Sequence, residues 1–263
     1  MMVEREITAA APALRLQTLW EDDDLEIVAV PGEGDQGIVV FGSVEESARD
    51  GRYEFFATAT AGGRPAVFVR DKQFQWYQRP GVADRIMDVV GPYLEGGRVT
   101  ALGHSMGGYG ACMFGAALGA ASVLAFGPQF SMEDGFARHD PRWPEMRARM
   151  GGFPLGSVEE AVAEGTQYFV LHGENGPDIL HWSHFPEGHN IHHYLVARVW
   201  HHVPKHLKGL GALDEVVEVA LDGDVDGFDA AMARLGGRPR KGGESYATRP
   251  NYWYRENVLG RSE

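Results

Sequence analysis

Short runs of apolar residues without polar interruptions recur along the chain and predict buried strands. This continuity is typical of strands that are covered on both faces, because a strand with one face in water alternates apolar and polar residues. The acidic residues 21–24 predict a solvated loop, so residues 1–24 are expected to precede the sheet. The predicted strands are Leu25–Val30, 38–41, 66–69, 99–102, Ser122–Phe126 and, as the last one, 168–171.

Other segments place apolar residues at helical spacing. In Val82–Leu94 the apolar positions recur at the period of a helix with one buried face. The segment 55–58 fits either an edge strand or part of a helix. Strand and helix alternate along the chain, which predicts an α/β fold with a doubly wound, mainly parallel sheet. Further helices are predicted over 144–150, 158–164, 191–200, 213–221 and 225–235.

The length of 263 residues fits one large α/β domain with a substantial core. We assign residues 1–205 to this core. Within it, residues 129–165 carry helical pieces separated by Pro and Gly, which predicts a small lid over a site. Residues 206–263 are expected to form a helical C-terminal extension packed on the core. The aromatic residues 252–254 would pack on the domain or on a second subunit, so the sequence leaves a homo-oligomer open.

The stretch from 98 to 118 combines a strand, a glycine-flanked turn and a small-residue helix. Ser105 stands in the turn, with Gly103 and Gly107 on either side. Side chains at the two glycine positions would collide with the adjoining strand or helix if the turn is sharp. A sharp turn exposes the serine hydroxyl for nucleophilic attack. The alternative is an ordinary glycine-rich turn that contains a serine, and the placement between strand and helix favours the nucleophile.

A serine nucleophile needs amide donors that stabilise the negative oxygen formed during attack. The N–H of Met106, at the start of the helix, is the first predicted donor. The second is expected in the loop after strand 38–41, at Gly42 or Ser43, unless Gly42 is only a tight turn. The loop 70–81 also follows a strand, at the level where active-site loops of a parallel sheet emerge. The predicted substrate contacts are His104, Trp76 and Tyr77.

The serine also needs a base, and the base needs an orienting carboxylate. The strand 168–171 is followed by acidic residues, of which Asp178 is the predicted acid and Glu174 its substitute. His189 follows in a glycine-containing loop and is the predicted general base. The sequence therefore predicts a Ser-His-Asp triad.

Three segments resemble the active-site segments of the α/β-hydrolase superfamily: 103–108 (GHSMGG), 171–173 (LHG) and 188–190 (GHN). Ser105, Asp178 and His189 also follow the chain order of these enzymes. The resemblance implies acyl transfer to the serine followed by hydrolysis, without a cofactor. The superfamily usually places a helix and a strand between acid and histidine, so either 179–185 is a shortened final strand or the acid lies elsewhere. Residues 70–71, 76–77 and 126–131 are similar to a poorly characterised bacterial branch.

The histidines support a competing hypothesis. Eight of the 11 lie between His181 and His206, and six of these form three pairs with members three or four residues apart: 181 and 184, 189 and 192, 202 and 206. Such spacing can place imidazoles on one side of a helix, where they could hold zinc or iron. A histidine-cluster metal-dependent hydrolase is therefore one alternative, although no carboxylate-rich or cysteine motif accompanies the histidines. A non-catalytic binding protein on the same fold, with Ser105 as a relic, is another.

Composition narrows the partners. The net charge of −13 opposes binding to nucleic acid or to an anionic membrane. The single cysteine, Cys112, cannot form an internal disulfide and lies among small and apolar residues, as a core thiol does. No apolar run has the length of a signal peptide or a membrane span, so a cytoplasmic setting is expected. The expected partner is a small acyl substrate, an ester or thioester of modest size.

Overall fold

Ten strands of the described residues form one sheet through the middle of the molecule. The computed structural model describes residues 4–7, 14–44, 53–174 and 176–241. The strands are β1 Glu4–Ile7, β2 Leu14–Glu21, β3 Leu25–Val30, β4 Gln36–Phe41, β5 Ala66–Asp71, β6 Arg98–His104, β7 Ser122–Phe126, β8 Gln167–Gly173, β9 Ile191–Val196 and β10 Gly237–Pro239.

Helices cover both faces of this sheet. Short helices α1 and α4–α7 lie in loops, and the longer α2, α3, α9 and α10 pack on the strands. The helices are α1 Phe56–Ala59, α2 Val82–Leu94, α3 Met106–Phe114, α4 Asp134–Ala137, α5 Pro144–Arg149, α6 Val158–Ala161, α7 Asp178–Trp182, α8 Val203–Gly209, α9 Leu213–Asp222 and α10 Val225–Arg234, with a 3-10 turn at Ala61–Gly63.

The sheet is parallel at its centre and antiparallel at its edges. Its strand order is β1-β2-β3-β5-β4-β6-β7-β8-β9-β10. Six neighbouring strands of this order, β5-β4-β6-β7-β8-β9, pair in parallel. The strands β1, β2, β3 and β10 pair antiparallel to their neighbours. The carboxyl ends of the parallel strands therefore meet at one edge, where open α/β sheets bind ligands.

Alternate side chains of each central strand enter two separate cores. In β4, Val39 and Phe41 belong to the core under α2 and α3, and Ile38 and Val40 belong to the core under α9 and α10. All four are essentially inaccessible to solvent. Burial on both faces is the reason that these strands are apolar without alternation.

The predicted α/β fold with a mainly parallel sheet is confirmed, but several segments differ from prediction. Residues 4–7 and 14–21 belong to the sheet as β1 and β2 instead of preceding it, and residues 237–239 of the predicted helical extension form β10. Residues 191–196 form β9 instead of part of a helix. In β9 the apolar residues at 191, 194 and 195 imitate helical spacing, but the strand pairs with β8 along its whole length. Buried His193 is accommodated because its Nε2 hydrogen-bonds to Nδ1 of His172 at 2.9 Å.

The segments predicted as a lid and as a C-terminal extension contain short helices and longer helices, respectively, and we call residues 129–165 the lid segment. Residues 129–165 join β7 to β8 and contain α4, α5 and α6. Helix α8 runs across the expected boundary after residue 205, and α9 and α10 bury their apolar faces in one of the two cores. The aromatic residues 252–254 lie outside the described residues. Among the helices that are described, none has the length and apolar character needed to cross a bilayer.

The turn between β6 and α3 has no room for side chains at its two glycines. A Cβ at Gly103 would lie 2.1 Å from the carbonyl oxygen of Gly107. A Cβ at Gly107 would lie 2.0 Å from the carbonyl oxygen of Phe41, at the end of β4. These obstacles are backbone atoms, so they cannot move aside as a flexible side chain would. The close approach also brings the loop after β4 beside the start of α3.

We predict that Gly103→Ala lowers the free energy of unfolding by about 1–3 kcal/mol, because it forces overpacking against backbone. Gly135→Ala is the matched control, since Gly135 lies in α4 and a Cβ there would meet nothing within 4 Å. Urea unfolding of the two variants checks the difference. Equal loss of stability in both would show that the turn is not sterically closed.

Candidate active site

Ser105 stands in a strained backbone conformation between β6 and α3. Its φ and ψ are 55° and −122°, outside the regions that non-glycine residues favour. The strain is held by packing and by hydrogen bonds, including one from the Ser105 N–H to the carbonyl oxygen of Phe126 at 2.8 Å. The predicted elbow is therefore present, and its serine faces the carboxyl edge of the sheet.

The side chains of Ser105, His201 and Asp178 form a continuous chain of hydrogen bonds. His201 Nε2 lies 2.7 Å from Ser105 Oγ. His201 Nδ1 lies 2.9 Å from each carboxylate oxygen of Asp178. A carboxylate only accepts, so Nδ1 carries the proton and Nε2 is free to accept the serine proton. This arrangement can activate the hydroxyl for nucleophilic attack.

Each of these three hydrogen-bonded residues follows the end of a different parallel strand. Ser105 follows β6, Asp178 follows β8 as the first residue of α7, and His201 follows β9. The loop before His201 passes very close to β8, since a Cβ at Gly173 would lie 2.0 Å from the carbonyl oxygen of Trp200. Glycine at the end of β8 therefore allows His201 to reach the serine.

The prediction of His189 as the general base is wrong. His189 is exposed and comes just before β9, at the end of the strand opposite to His201. The six residues of β9 span about 17–20 Å at about 3.3 Å per residue. Residues 191–196 pair with β8 as a strand, which puts the histidine that follows this strand, His201, at Ser105.

The two candidate acids are separated by the structure. Asp178 contacts His201, whereas the carboxylate of Glu174 pairs with Arg238 at 2.9 Å. A helix, α7, and a strand, β9, lie between Asp178 and His201, as the resemblance requires. Neither alternative from the sequence holds: residues 179–185 are α7 and the loop after it instead of a shortened strand, and the acid is Asp178.

Asp178 has a second charged neighbour that the sequence did not indicate. Arg142 Nη1 donates to Asp178 Oδ1 at 2.8 Å, and the carboxylate is only 1% exposed. Burial alone would raise the pKa of Asp178, but the interactions with His201 and Arg142 outweigh it and hold the pKa well below its usual range. Asp178 is therefore ionised at every pH at which the protein is expected to work.

The three predicted oxyanion donors differ in availability. The N–H of Met106, the first residue of α3, has no acceptor within its own helix. The N–H of Gly42 donates to the carbonyl oxygen of Val69 at 2.9 Å, so Gly42 as donor is wrong. The N–H of Ser43 donates to Glu54 Oε2 at 3.0 Å, and its hydroxyl donates to Glu54 Oε1 at 2.5 Å. Both polar hydrogens of Ser43 are thus already donated to a carboxylate.

Trp76 and Tyr77 lie in the core behind the site. Both are at most 1% exposed. The Tyr77 hydroxyl donates to the carbonyl oxygen of Gly42 at 2.9 Å, and Trp76 Nε1 donates to Gln129 Oε1 at 2.8 Å. The buried Asp71 accepts the N–H of Tyr77 and two others in the same loop. These residues support the loops around Ser105, so the prediction that they contact substrate is not met by their placement.

A cavity of about 580 Å³ adjoins the site on the side of His104. His104 Nε2 donates to the carbonyl oxygen of His201 at 3.1 Å. Burial, with the nearby His201, lowers the pKa of His104 to about 3, so its imidazole is neutral. His104 therefore fixes the backbone of His201 and forms one wall of the cavity. The other lining residues include Tyr53, Phe55, Phe56, His202 and Lys205.

The histidines of the region 181–206 have different hydrogen-bond partners. His181 hydrogen-bonds to Asp140, His193 to His172, and His192 to Gln167. Within the described parts of the chain, no three His, Cys, Asp or Glu side chains are grouped in a way that could hold a metal ion. Cys112 is buried in the core, where burial raises the pKa of its thiol.

Similar proteins are found when the fold is compared with solved structures, but not when the sequence is compared with known families or curated proteins. No family model matches the sequence, and neither does any curated protein. The capsule O-acetyltransferase of Neisseria meningitidis serogroup A matches with a TM-score of 0.58 and 12% identity, over 82% of this chain and 98% of that chain. EstE5, soaked with p-nitrophenyl butyrate, matches with a TM-score of 0.54 and 15% identity, over 87% and 85% of the two chains.

A third matching structure is much longer than this chain. The Glycosylation Associate Protein (Gap123) complex from Streptococcus agalactiae matches with a TM-score of 0.51 and 15% identity, and this chain spans only 45% of that chain. At such identities the likeness concerns the fold alone. Together with the sheet order and the elbow, it shows that the protein has an α/β-hydrolase fold.

We predict that His201→Ala slows covalent labelling of the protein by a fluorophosphonate by about 10²–10⁴-fold, the usual contribution of a general base. His189→Ala is the matched control and should label at the rate of the unsubstituted protein, because His189 is exposed and remote. The measurement is the second-order rate constant of labelling. Slow labelling of His189→Ala with normal labelling of His201→Ala would instead identify His189 as the base.

Proposed function

We propose that this protein is a serine hydrolase that cleaves a carboxylic ester or thioester through an acyl intermediate on Ser105. The observation that carries the proposal is the chain of hydrogen bonds from Ser105 Oγ through His201 to Asp178. The α/β-hydrolase fold supports it, since a serine at this turn is the nucleophile of many enzymes with that fold.

The proposed reaction has two steps, acylation of Ser105 and hydrolysis of the acyl-serine. Ser105 Oγ attacks the acyl carbon while its proton passes to His201 Nε2, and the carbonyl becomes an oxyanion. The leaving alcohol or thiol then takes this proton as its bond to the acyl carbon breaks. In the second step water gives a proton to His201 and attacks the acyl-serine. The carboxylic acid leaves and the proton returns to Ser105 Oγ.

The oxyanion is stabilised by the N–H of Met106 and by the N–H of Ser43. Glu54 competes for Ser43, since its carboxylate accepts both polar hydrogens of that residue. A substrate carbonyl therefore has to displace the Glu54 carboxylate from Ser43 before the second donor can act. The developing negative charge in the transition state favours this exchange more than the neutral carbonyl of the bound substrate does.

The cavity beside His104 is the proposed place for the substrate's organic group. Aromatic residues Tyr53, Phe55 and Phe56 give it an apolar wall, and its volume of about 580 Å³ suits a group of modest size. This supports a small acyl substrate in preference to a polymer.

Acyl transfer to a hydroxyl acceptor, with water excluded, is a second candidate. The exposed Lys205 and Lys208 line the same cavity, and their ammonium groups suit the phosphates of a thioester donor such as an acyl-coenzyme A. Among the structural neighbours, a capsule O-acetyltransferase variant was solved in complex with CoA. The products separate the two reactions: hydrolysis gives free acid, and transfer gives a new ester only when an acceptor alcohol is present.

We predict that Ser105→Ala lowers turnover by about 10⁴–10⁶-fold, as expected when the nucleophile of such a triad is lost. The assay is a series of p-nitrophenyl esters and coenzyme A thioesters of increasing acyl length. The control is Ser183→Ala, whose hydroxyl donates to the carbonyl oxygen of Leu180 at 3.2 Å, outside the triad. Turnover that survives in Ser105→Ala would refute the proposed nucleophile.

We predict that Ala57→Trp reduces kcat/KM more strongly for long acyl groups than for acetyl esters. Ala57 is an exposed residue of α1 that lines the cavity, so an indole there fills space without disturbing the core. The measurement is the ratio of kcat/KM for the longest and shortest ester accepted. An unchanged ratio would place the substrate elsewhere.

A further inference from the structure

The acid of the triad is shared between the catalytic histidine and an arginine from the lid. Arg142 Nη1 donates to Asp178 Oδ1 at 2.8 Å, while both oxygens of the same carboxylate face His201. Arg142 also donates hydrogen bonds to Asp140. Its Nε lies 3.0 Å from Oδ1 and 3.1 Å from Oδ2, and its Nη2 lies 2.7 Å from Oδ2. One guanidinium therefore bridges two carboxylates that are 1% and 2% exposed.

The far side of this bridge is fixed by a histidine. His181 Nε2 donates to Asp140 Oδ2 at 3.0 Å. His181 Nδ1 accepts the N–H of Phe130 at 3.0 Å, which sets the tautomer of the ring. Because Phe130, Asp140 and Arg142 all belong to residues 129–165, the lid is attached to Asp178 and to α7 by polar contacts in the protein interior.

The lid also reaches the histidine of the triad. The Arg142 guanidinium lies 4.4 Å from the centre of the Trp143 ring, and that ring lies 6.2 Å from the ring of His201. Arg142 and Trp143 thus enclose the His201–Asp178 couple from the lid side. Displacement of Arg142 would open this side to water.

We propose that Arg142 is a positioning residue for the triad: its planar fork orients Asp178 toward His201 and attaches the lid segment 129–165 to the acid of the triad. This inference rests on the proposed function. Its charge has a second effect. An imidazolium forms on His201 during attack, and a fixed positive charge near Asp178 opposes it. Arg142 therefore improves the orientation of Asp178, but its positive charge weakens the stabilisation of the imidazolium on His201.

The two effects separate in a pH profile. The charged or titratable groups around His201 are Asp178 on α7, Arg142 on the lid, His104 and Ser105 at the elbow, His172 on β8, and His202. Burial lowers the pKa values of His104 and His172 to about 3 and about 4, so both stay neutral near pH 7. Removing the cation from Arg142 makes protonation of the base easier, so activity should be lost at a higher pH on acidification.

The experiment measures the rate of fluorophosphonate labelling from pH 5 to pH 9, which needs no knowledge of the substrate. Arg142→Gln should lower the plateau rate by about 10–100-fold, because Asp178 loses its orientation. Its acid limb should move up by about 0.5–1 pH unit, because the cation is gone. Arg142→Lys keeps the charge and loses the fork, so its plateau should fall while its acid limb stays.

Arg149→Gln is the matched control. It removes one positive charge from an exposed position of the lid helix α5 and should change neither the plateau nor the limb. Thermal unfolding of each variant identifies one that does not fold, and in that case the plateau of Arg142→Lys decides. An Arg142→Gln profile with an unmoved acid limb, or an Arg142→Lys plateau equal to that of the unsubstituted protein, overturns the inference. Absence of labelling in the unsubstituted protein would instead refute the proposed nucleophile.

Discussion

The arrangement of the site depends on how the buried carboxylate of Asp178 is paired. A charge that is 1% exposed is stable only if it is paired, and Asp178 is paired twice, with His201 and with Arg142. The first pair joins the ends of β8 and β9 to the serine turn. The second joins the lid to the same point. One residue therefore holds together the three parts of the molecule that a chemical step at Ser105 requires.

The serine turn imposes the matching constraint on the other side. Ser105 has a positive φ, and the backbone around it packs so closely that neither Gly103 nor Gly107 has room for a Cβ. The strain is borne by strands that are buried on both faces, so the hydroxyl keeps its direction without help from flexible loops. The loop that contains Trp76 and Tyr77 adds further support, since it hydrogen-bonds to Gly42 in the loop after β4 and to Gln129 in the lid segment.

The sequence predicted the parts of the site that local chemistry determines. A serine between glycines at a strand end defines its own turn, and Asp178 was found because it follows a strand. His201 was missed because the spacing of apolar residues in 191–196 imitates a helix. The contact that places His193 inside a sheet, with His172, is distant in sequence. Arg142 gave no local signal at all, because its role arises only when the lid folds onto α7.

We propose Ser105 as the reactive nucleophile of the protein, and peptide mass mapping after reaction with a fluorophosphonate checks this assignment. We expect one adduct per chain, on the peptide that contains Ser105, and no adduct when the protein is unfolded before the reagent is added. An adduct on any other residue, or none on a folded protein that hydrolyses esters, would contradict it.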